Sequence, residues 1–282
     1  MMQPKRNNVF EVKEGCHFKL RGMDSEVTPE QLFASGEYQE TERRILNALF
    51  AYRFLNRYNL TRLVGRGDIK RHLDKMIYQG MVEEYVIEGQ NGMRIDNSLV
   101  AYQLSKKADQ YLLKSQSRGY RRTDVPTDAE IIKTIRTNQY HIGMVVKNKD
   151  RIVSQKVHFT QEYREMGSVC IPSYIMLDNR LTLLALALDE NDDGFFSFAR
   201  TLLKLSGYLT EMEHTRFLIV WVAQSTRAVL ESMEKFHHMK GFREMPVSYI
   251  LDYNTGFGNP MNQICFVEKK ENQRTELSRI IL

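Results

Sequence analysis

The strongest constraint on the fold lies between Thr41 and Leu113, where the spacing of apolar residues changes from helical to strand-like and back. Apolar residues recur at helical spacing from Ile45 to Phe54 and predict a first helix of about 14 residues. The next segment, Asn59 to Gly65, is short and ends in a glycine, which is typical of a helix C-terminus.

A third helix is predicted from Asp68 to Gln79, with Asp68 as its N-cap and Gly80 as its end. One side of this helix carries an apolar stripe that is expected to be buried, formed by Ile69, Leu73, Met76 and Ile77. The opposite side is charged and consists of Lys70, Arg71, Asp74 and Lys75.

Two strands and a fourth helix are predicted to follow. The strands are Met81 to Ile87 and Leu99 to Leu104, and a turn of Glu88 to Gly92 begins the connection between them. Ser105 is then expected to cap a helix that continues to Leu113. This order of elements is that of a winged helix-turn-helix.

The phrases His72 to Val82 and Ala101 to Ala108 resemble the winged-helix superfamily in their sequence. They match the end of its recognition helix and its second wing strand, except that Ser105 replaces the usual Thr and Ala108 the usual Gly. The resemblance implies that the Asp68 to Gln79 helix enters the major groove of DNA.

The charge of the same region supports a polyanion partner. Residues 43–82 contain nine Lys and Arg against two Asp, although the whole chain has a net charge of only +5. We therefore expect binding to double-stranded DNA, and a winged helix used for protein contact is the alternative. The candidate DNA-contacting residues are Arg62, Arg66, Lys70, Arg71, Lys75 and Arg94.

The chain is expected to have two domains, since its 282 residues exceed one ordinary domain. Residues 1–38 show no clear period and are predicted to be an arm or loose extension, in which Thr28 and Pro29 begin a short helix. The winged helix-turn-helix spans 39–115. Residues 116–126 are polar and turn-rich, which indicates a linker to a second domain, 127–282.

The second domain is predicted to be α/β with a mixed sheet, because strands alternate with helices around an apolar central strand, Phe217 to Ala223. The helices are predicted from Thr127 to Val146, Phe195 to Leu209 and Thr226 to His238. The other strands are predicted at Val153 to Phe159, Ser168 to Leu177, Leu181 to Leu188, Val247 to Leu251 and Gln263 to Val267. Trp221 is expected in the core.

From Thr41 to about Lys270 the arrangement resembles the replication-relaxation family of Gram-positive plasmids and mobile elements. The stretches that carry the resemblance are Ile171 to Leu177, Leu184 to Asp189, Phe195 to Leu209, and Phe217 to Arg227. That family joins a winged helix to a restriction-endonuclease-like domain. The fold class expected is therefore a two-domain α+β or α/β protein with this pair of domains.

The nuclease site of that fold is not matched. It needs an Asp after a Pro and an acidic residue followed two positions later by Lys, which together hold a magnesium ion. Here Ser173 follows Pro172, and the next strand offers Ala185, Ala187 and Asp189. We expect no catalytic activity; a divergent nuclease or nicking accessory that uses Asp189 is the alternative.

Other candidate sites are weaker. The acidic loop Asp189 to Gly194 lacks the spacing of a calcium loop, and the adjacent His237 and His238 cannot share one helical face. Thr255 to Pro260 contains two glycines but does not follow a strand–helix phosphate-loop pattern. No catalytic residue, metal or cofactor is therefore predicted.

The compartment expected is the cytoplasm. The first ten residues lack the apolar stretch of a signal peptide, no apolar run is long enough to span a membrane, and three distant cysteines do not form a disulfide framework.

The predicted function is an accessory or regulatory DNA-binding factor in plasmid or mobile-element replication or conjugative transfer. Its partners would be double-stranded DNA and a relaxase, replication initiator or other DNA-processing protein. The alternative is a transcriptional regulator whose second domain dimerises or senses a ligand. A homodimer is expected from the habit of winged helices on two-fold operators.

Overall fold

The structure is a computed structural model that describes residues 12–22, 25–65, 68–95, 99–117, 122, 125–163, 167–187, 216–237, 247–251, 259–269 and 275–280. It is a mixed α+β protein with one three-stranded and one seven-stranded sheet. Two compact units, residues 1–135 and 136–282, divide the chain, and the division falls within one long helix. Among the described residues, no helix combines the length and apolar character needed to cross a bilayer.

The first unit contains three strands and five short helices ahead of that long helix, within the described residues. They are β1 (His17–Arg21), α1 (Pro29–Ala34), α2 (Glu40–Tyr52), α3 (Arg57–Val64), α4 (Lys70–Tyr78), β2 (Val82–Glu88), β3 (Val100–Leu104) and α5 (Lys106–Leu113). The three strands are antiparallel in the order β1-β2-β3. The predicted order of helices and strands between Thr41 and Leu113 is confirmed.

Helix ends in this unit follow local sequence. Thr28 and Gln31 form a reciprocal capping box at the start of α1, and Ser105 accepts a hydrogen bond from the backbone N–H of Ala108 at the start of α5. Asn56 caps α3 in the same way. Gly65 ends α3 in the left-handed conformation, with φ of 73°.

Helix α4 begins two residues later than predicted. The N-cap position is Ile69, whose side chain makes no capping hydrogen bond. The Asp68 carboxylate still accepts from the backbone N–H of Lys70 at 3.0 Å, but as a turn before the helix. Ile69, Leu73 and Met76 are buried as expected, whereas Ile77 is only half-buried.

The prediction of a loose N-terminal extension is wrong for residues 17–21. These residues form β1, which pairs along its whole length with β2, from His17 opposite Glu88 to Arg21 opposite Glu84. The backbone N–H of Phe18 also donates to the Asp128 carboxylate at 3.1 Å. Sequence periodicity missed the strand because it has only five residues and its burial depends on distant partners.

One core of the first unit lies against the sheet. It is formed by Phe54, Tyr85, Ile87, Leu99, Ala101, Ile131 and Ile135, with Phe18 packed at its margin. The connection between α2 and α3 is tied to the wing strand, because the backbones of Leu55 and Tyr102 exchange hydrogen bonds of 3.1 and 2.8 Å. These contacts hold the β2–β3 hairpin in a fixed relation to the helices.

The rest of the chain contributes one long helix, which crosses the division, and the larger sheet. Its described elements are α6 (Asp128–Lys147), β4 (Ile152–Tyr163), β5 (Gly167–Leu177), β6 (Leu181–Ala187), β7 (Arg216–Ala223), α7 (Thr226–His237), β8 (Val247–Leu251), β9 (Cys265–Lys269) and β10 (Thr275–Arg279). The strand order is β10-β9-β8-β7-β6-β5-β4. Strands β6, β7 and β8 are parallel at the centre, and the flanking pairs are antiparallel.

The expected mixed sheet is confirmed. Within the residues that the structure describes, most of the predicted helices and strands of the second unit are found at their predicted positions. The β5–β6 hairpin turns at Asp178 to Arg180, as predicted. Strand β10 was not predicted. The predicted helix from Phe195 to Leu209 and the acidic loop Asp189 to Gly194 lie outside the described residues.

The core of this unit forms on the central parallel strands. Val220 and Val222 pack with Leu183, Ala185 and Ile250 from the neighbouring strands. Trp221 is fully buried, which confirms its predicted place in the core. The three cysteines of the chain, Cys16, Cys170 and Cys265, are free thiols.

Candidate nucleic-acid interface

Helix α4 has one buried and one exposed side. Leu73 and Met76 are almost completely buried and fix the helix against its neighbours. Lys70, Arg71 and Asp74 are exposed, and Tyr78 follows on the same side with 70% of its surface accessible. The sequence predictions missed Tyr78, although its position seven residues after Arg71 places it on this face.

A hydrogen bond between α2 and α4 fixes the rotation of the exposed face. His72 Nδ1 lies 2.7 Å from Glu42 Oε1, and Glu42 is buried. Burial has the largest single effect and would raise the pKa of Glu42, but the hydrogen bond with His72, a backbone hydrogen bond and the charges of His72 and Lys75 together outweigh it, and the pKa of this carboxyl is lowered. The ionised Glu42 therefore holds His72 on the side of α4 that adjoins α2.

Lys75 is less free than the sequence predicted. Its Nζ donates to the backbone carbonyl of Glu37 at 2.8 Å and lies 5.5 Å from the centre of the Tyr38 ring. Gln79, one turn later, donates to the Glu37 carboxylate at 2.8 Å. Glu37 and Tyr38, between α1 and α2, thus bind the C-terminal part of α4, and Lys75 is half-buried there.

Arg62 is also partly withdrawn from solvent. Its guanidinium lies 5.4 Å from the centre of the Tyr58 ring, and one of its Nη atoms is buried without a hydrogen-bond partner among the described residues. Arg66 lies outside the described residues. Lys70 and Arg71 are therefore the most accessible of the predicted cations that the structure describes on α3 and α4.

Arg94 lies in the hairpin between β2 and β3. The hairpin turns at Gly89 to Met93, where Gly89 and Met93 are hydrogen-bonded and Met93 is exposed. Arg94 forms a backbone bridge with Glu88 and is itself exposed. The hairpin therefore presents a cation beside its tip, as the winged-helix resemblance implies.

Charged side chains of the hairpin, α3 and α4 all act on the hydroxyl of Tyr102. Burial raises the pKa of Tyr102 to about 12, and Glu84 and Asp74 add to the rise, whereas Arg57 and Arg94 oppose it. Side chains from α3, α4 and the hairpin thus act on one group. Arg57, the exposed first residue of α3, was missed by the sequence predictions because only the tertiary structure brings its charge to act on Tyr102.

The second unit has no carboxylate at the position where a nuclease would hold metal. Ser173 is completely buried, and its Oγ lies 2.8 Å from His141 Nδ1. The other ring nitrogen of His141 lies 3.1 Å from Gln155 Oε1. Ala185 and Ala187 on β6 are buried, and Asp189 lies outside the described residues. Within the described part of the chain, no three His, Cys, Asp or Glu side chains are grouped to bind a metal.

Comparisons with known proteins add no relatives. No family model matches the chain, no curated protein matches it, and no solved structure matches its fold. The function is therefore argued from the interface itself.

Proposed function

We propose that the chain is a double-stranded DNA-binding protein and that residues 39–115 are its winged helix-turn-helix. The observation that carries the proposal is the exposed face of α4, where Lys70, Arg71 and Tyr78 lie opposite a buried apolar stripe. A helix of this kind fits the major groove, which is about 12 Å wide.

The surroundings of α4 support the same function. Arg57 is the first residue of α3 and Arg94 lies on the hairpin, and both are exposed cations whose charges act on Tyr102. Their charges suit phosphates on either side of a groove, and exposed cations of this kind supply affinity rather than sequence selectivity. Base reading is assigned to Arg71 and Tyr78, because they lie on the exposed side of α4.

We further propose that the second unit is a restriction-endonuclease-like domain without a metal site. The parallel β6–β7–β8 centre with antiparallel flanks supports the sheet architecture. The buried Ser173–His141 pair, in place of a ligand carboxylate, supports the loss of the site. From the family resemblance, we propose that the protein serves plasmid or mobile-element replication or transfer. A neighbouring gene for a relaxase or replication initiator would support this setting over ordinary transcriptional regulation.

The test of DNA binding uses the full-length chain and a labelled duplex of mixed sequence, measured by fluorescence anisotropy over a range of salt. We expect binding that weakens steeply with salt, because phosphate neutralisation releases counterions. The double variant Lys70→Gln/Arg71→Gln should weaken binding near 0.1 M salt by roughly an order of magnitude for each lost contact, that of Lys70 to a phosphate and that of Arg71 to a base.

The matched control is Lys147→Gln/Lys149→Gln, which removes the same charge from two exposed positions at the end of α6 and just after it. It should bind like the wild-type chain. If both double variants lose the same amount of affinity for the duplex, only the net charge of the protein matters. If the wild-type chain does not bind the duplex, the proposed function is overturned.

A further inference from the structure

Strand β1 places three basic residues on one side of the small sheet. His17, Lys19 and Arg21 alternate along the strand, so their side chains project from the same face. They lie opposite Glu88, Val86 and Glu84 of β2 in the antiparallel register. All three basic residues are exposed.

This face of the sheet is also the face that carries the hairpin cation. In an antiparallel pair, residues directly opposite each other project to the same side. Glu88 is opposite Arg94, and Glu84 is opposite Tyr102. The row of His17, Lys19 and Arg21 therefore lies on the same side of the sheet as the exposed Arg94 and the buried Tyr102. The charge of Asp74 on α4 also acts on the Tyr102 hydroxyl.

One carboxylate organises the cations of β1. Lys19 Nζ and an Arg21 Nη each lie 3.2 Å from Glu88, on different carboxylate oxygens. The Glu88 side chain is only 6% exposed, whereas those of Lys19 and Arg21 are 59% and 46% exposed. Glu84, opposite Arg21 on the same face, is a second anion and accepts from the Tyr102 hydroxyl at 3.5 Å. With Arg94 included, the cations Lys19, Arg21 and Arg94 exceed the anions Glu84 and Glu88 by one charge, and all three cations are exposed.

The other side of β1 anchors the strand. Phe18 packs against the core that contains Tyr85 and Ile87, and its backbone N–H is bound by the Asp128 carboxylate. The cations of β1 thus stand on a fixed strand, and holding them in place costs less side-chain and backbone entropy on binding than a free tail would.

We propose that β1 is a second, built-in part of the DNA interface, in which Lys19 and Arg21 contact backbone phosphates beside the groove entered by α4. The hairpin surface is thereby widened by one strand, and the footprint on DNA extends beyond the reach of α4 and Arg94. This inference rests on the proposed function.

The experiment compares the wild-type chain with Lys19→Gln/Arg21→Gln by anisotropy on the same duplex between about 50 and 200 mM salt. Each phosphate contact contributes about 0.9 to the slope of log K against log salt. Loss of both contacts should make the slope less negative by about 2 and weaken binding at every salt concentration. Circular dichroism melting checks that the variant is folded.

A second variant tests the role of Glu88 in the opposite direction. Glu88→Gln keeps the shape of the side chain and removes the charge that partly neutralises Lys19 and Arg21. Binding should tighten and the salt slope should become steeper. A fold defect would weaken binding instead, so a gain in affinity cannot come from damage to the sheet.

The outcomes separate the two proposals. One outcome would overturn the role of β1 and leave the proposed function standing: Lys19→Gln/Arg21→Gln has the same slope of log K against log salt as the wild-type chain, while Lys70→Gln/Arg71→Gln still loses binding. Failure of the wild-type chain to bind duplex DNA would overturn both. A loss in the β1 variant that the Lys147→Gln/Lys149→Gln control shows equally would also reject the assignment of β1.

Discussion

The most unusual single residue of the second unit is His141, a buried histidine in a helix. It is 1% exposed and lies between the Ser173 hydroxyl and the Gln155 side-chain amide oxygen. Burial lowers the pKa of His141 to about 4, and the hydrogen bond that its Nε2 donates to Gln155 Oε1 opposes this only in part. The folded chain therefore keeps the imidazole neutral over the pH range in which an exposed histidine would become charged.

His141 is expected to make the second unit less stable in acid. The unfolded chain takes up the proton near pH 6.5, whereas the folded chain does so only near pH 4. The unfolded state thus binds more protons in this window, and the free energy of unfolding falls by about 1 kcal/mol per pH unit as pH drops through it. Urea unfolding followed by the fluorescence of the buried Trp221 measures this effect.

The control replaces the titrating group. His141→Gln loses hydrogen bonds and is less stable at neutral pH, but its stability should depend less on pH. The difference in the free energy of unfolding between wild type and His141→Gln should therefore become smaller as the pH falls from about 7 to about 4.5. If this difference stays constant over that pH range, the histidine does not titrate as expected.

At the scale of elements, the end of α3 determines how the chain approaches α4. Gly65 has φ of 73°, and its N–H donates to the Thr61 carbonyl at 3.0 Å. A Cβ added at Gly65 would meet no atom within 4 Å. Any cost of a side chain there comes from backbone conformation and not from a clash.

Gly65→Ala should destabilise the first unit by about 1 kcal/mol, because alanine disfavours the left-handed region. Gly65→Asn should cost less, since asparagine tolerates that conformation. Thermal unfolding followed by far-ultraviolet circular dichroism measures the difference, as the single Trp of the chain lies in the other unit. Equal stability of Gly65→Ala and wild type would contradict the assigned helix end.

Other elements show which parts of local sequence are informative. Helices α2, α3 and α5 were predictable because the apolar spacing of each is contained within one segment, as are the caps of α3 and α5. Strand β1 was not, because its inner residue Phe18 acquires apolar neighbours only when the chain from Tyr85 to Ile135 packs against it. The same reason applies to β10, a five-residue strand that is defined by its pairing with β9.

For the molecule as a whole, the question is whether the second unit acts on the DNA that the first unit is proposed to bind. The position after Pro172 is a buried serine held by histidine, and β6 presents alanines. Neither group binds a hard divalent cation as a carboxylate does. The described part of the sheet thus offers no pair of metal ligands at that position.

Supercoiled plasmid incubated with the full-length protein and Mg²⁺ or Mn²⁺ should remain supercoiled on an agarose gel. Two metal ligands and an activating lysine are needed for hydrolysis, and the sequence lacks this combination at the nuclease positions. Metal-dependent nicking that disappears in Asp189→Ala would contradict this expectation. Plasmid binding on the same gel, without nicking, is the expected positive control.

The sequence by itself determined the element order from Thr41 to Leu113, the apolar stripe of α4 and the excess of positive charge, since each depends on neighbours in the chain. Tertiary structure decided which cations are available: Lys75 is held by Glu37, whereas Lys70 and Arg71 remain exposed. It also joined β1 to the hairpin by pairing it with β2. These relations arise from pairing and packing between distant segments, which periodicity and local charge do not record.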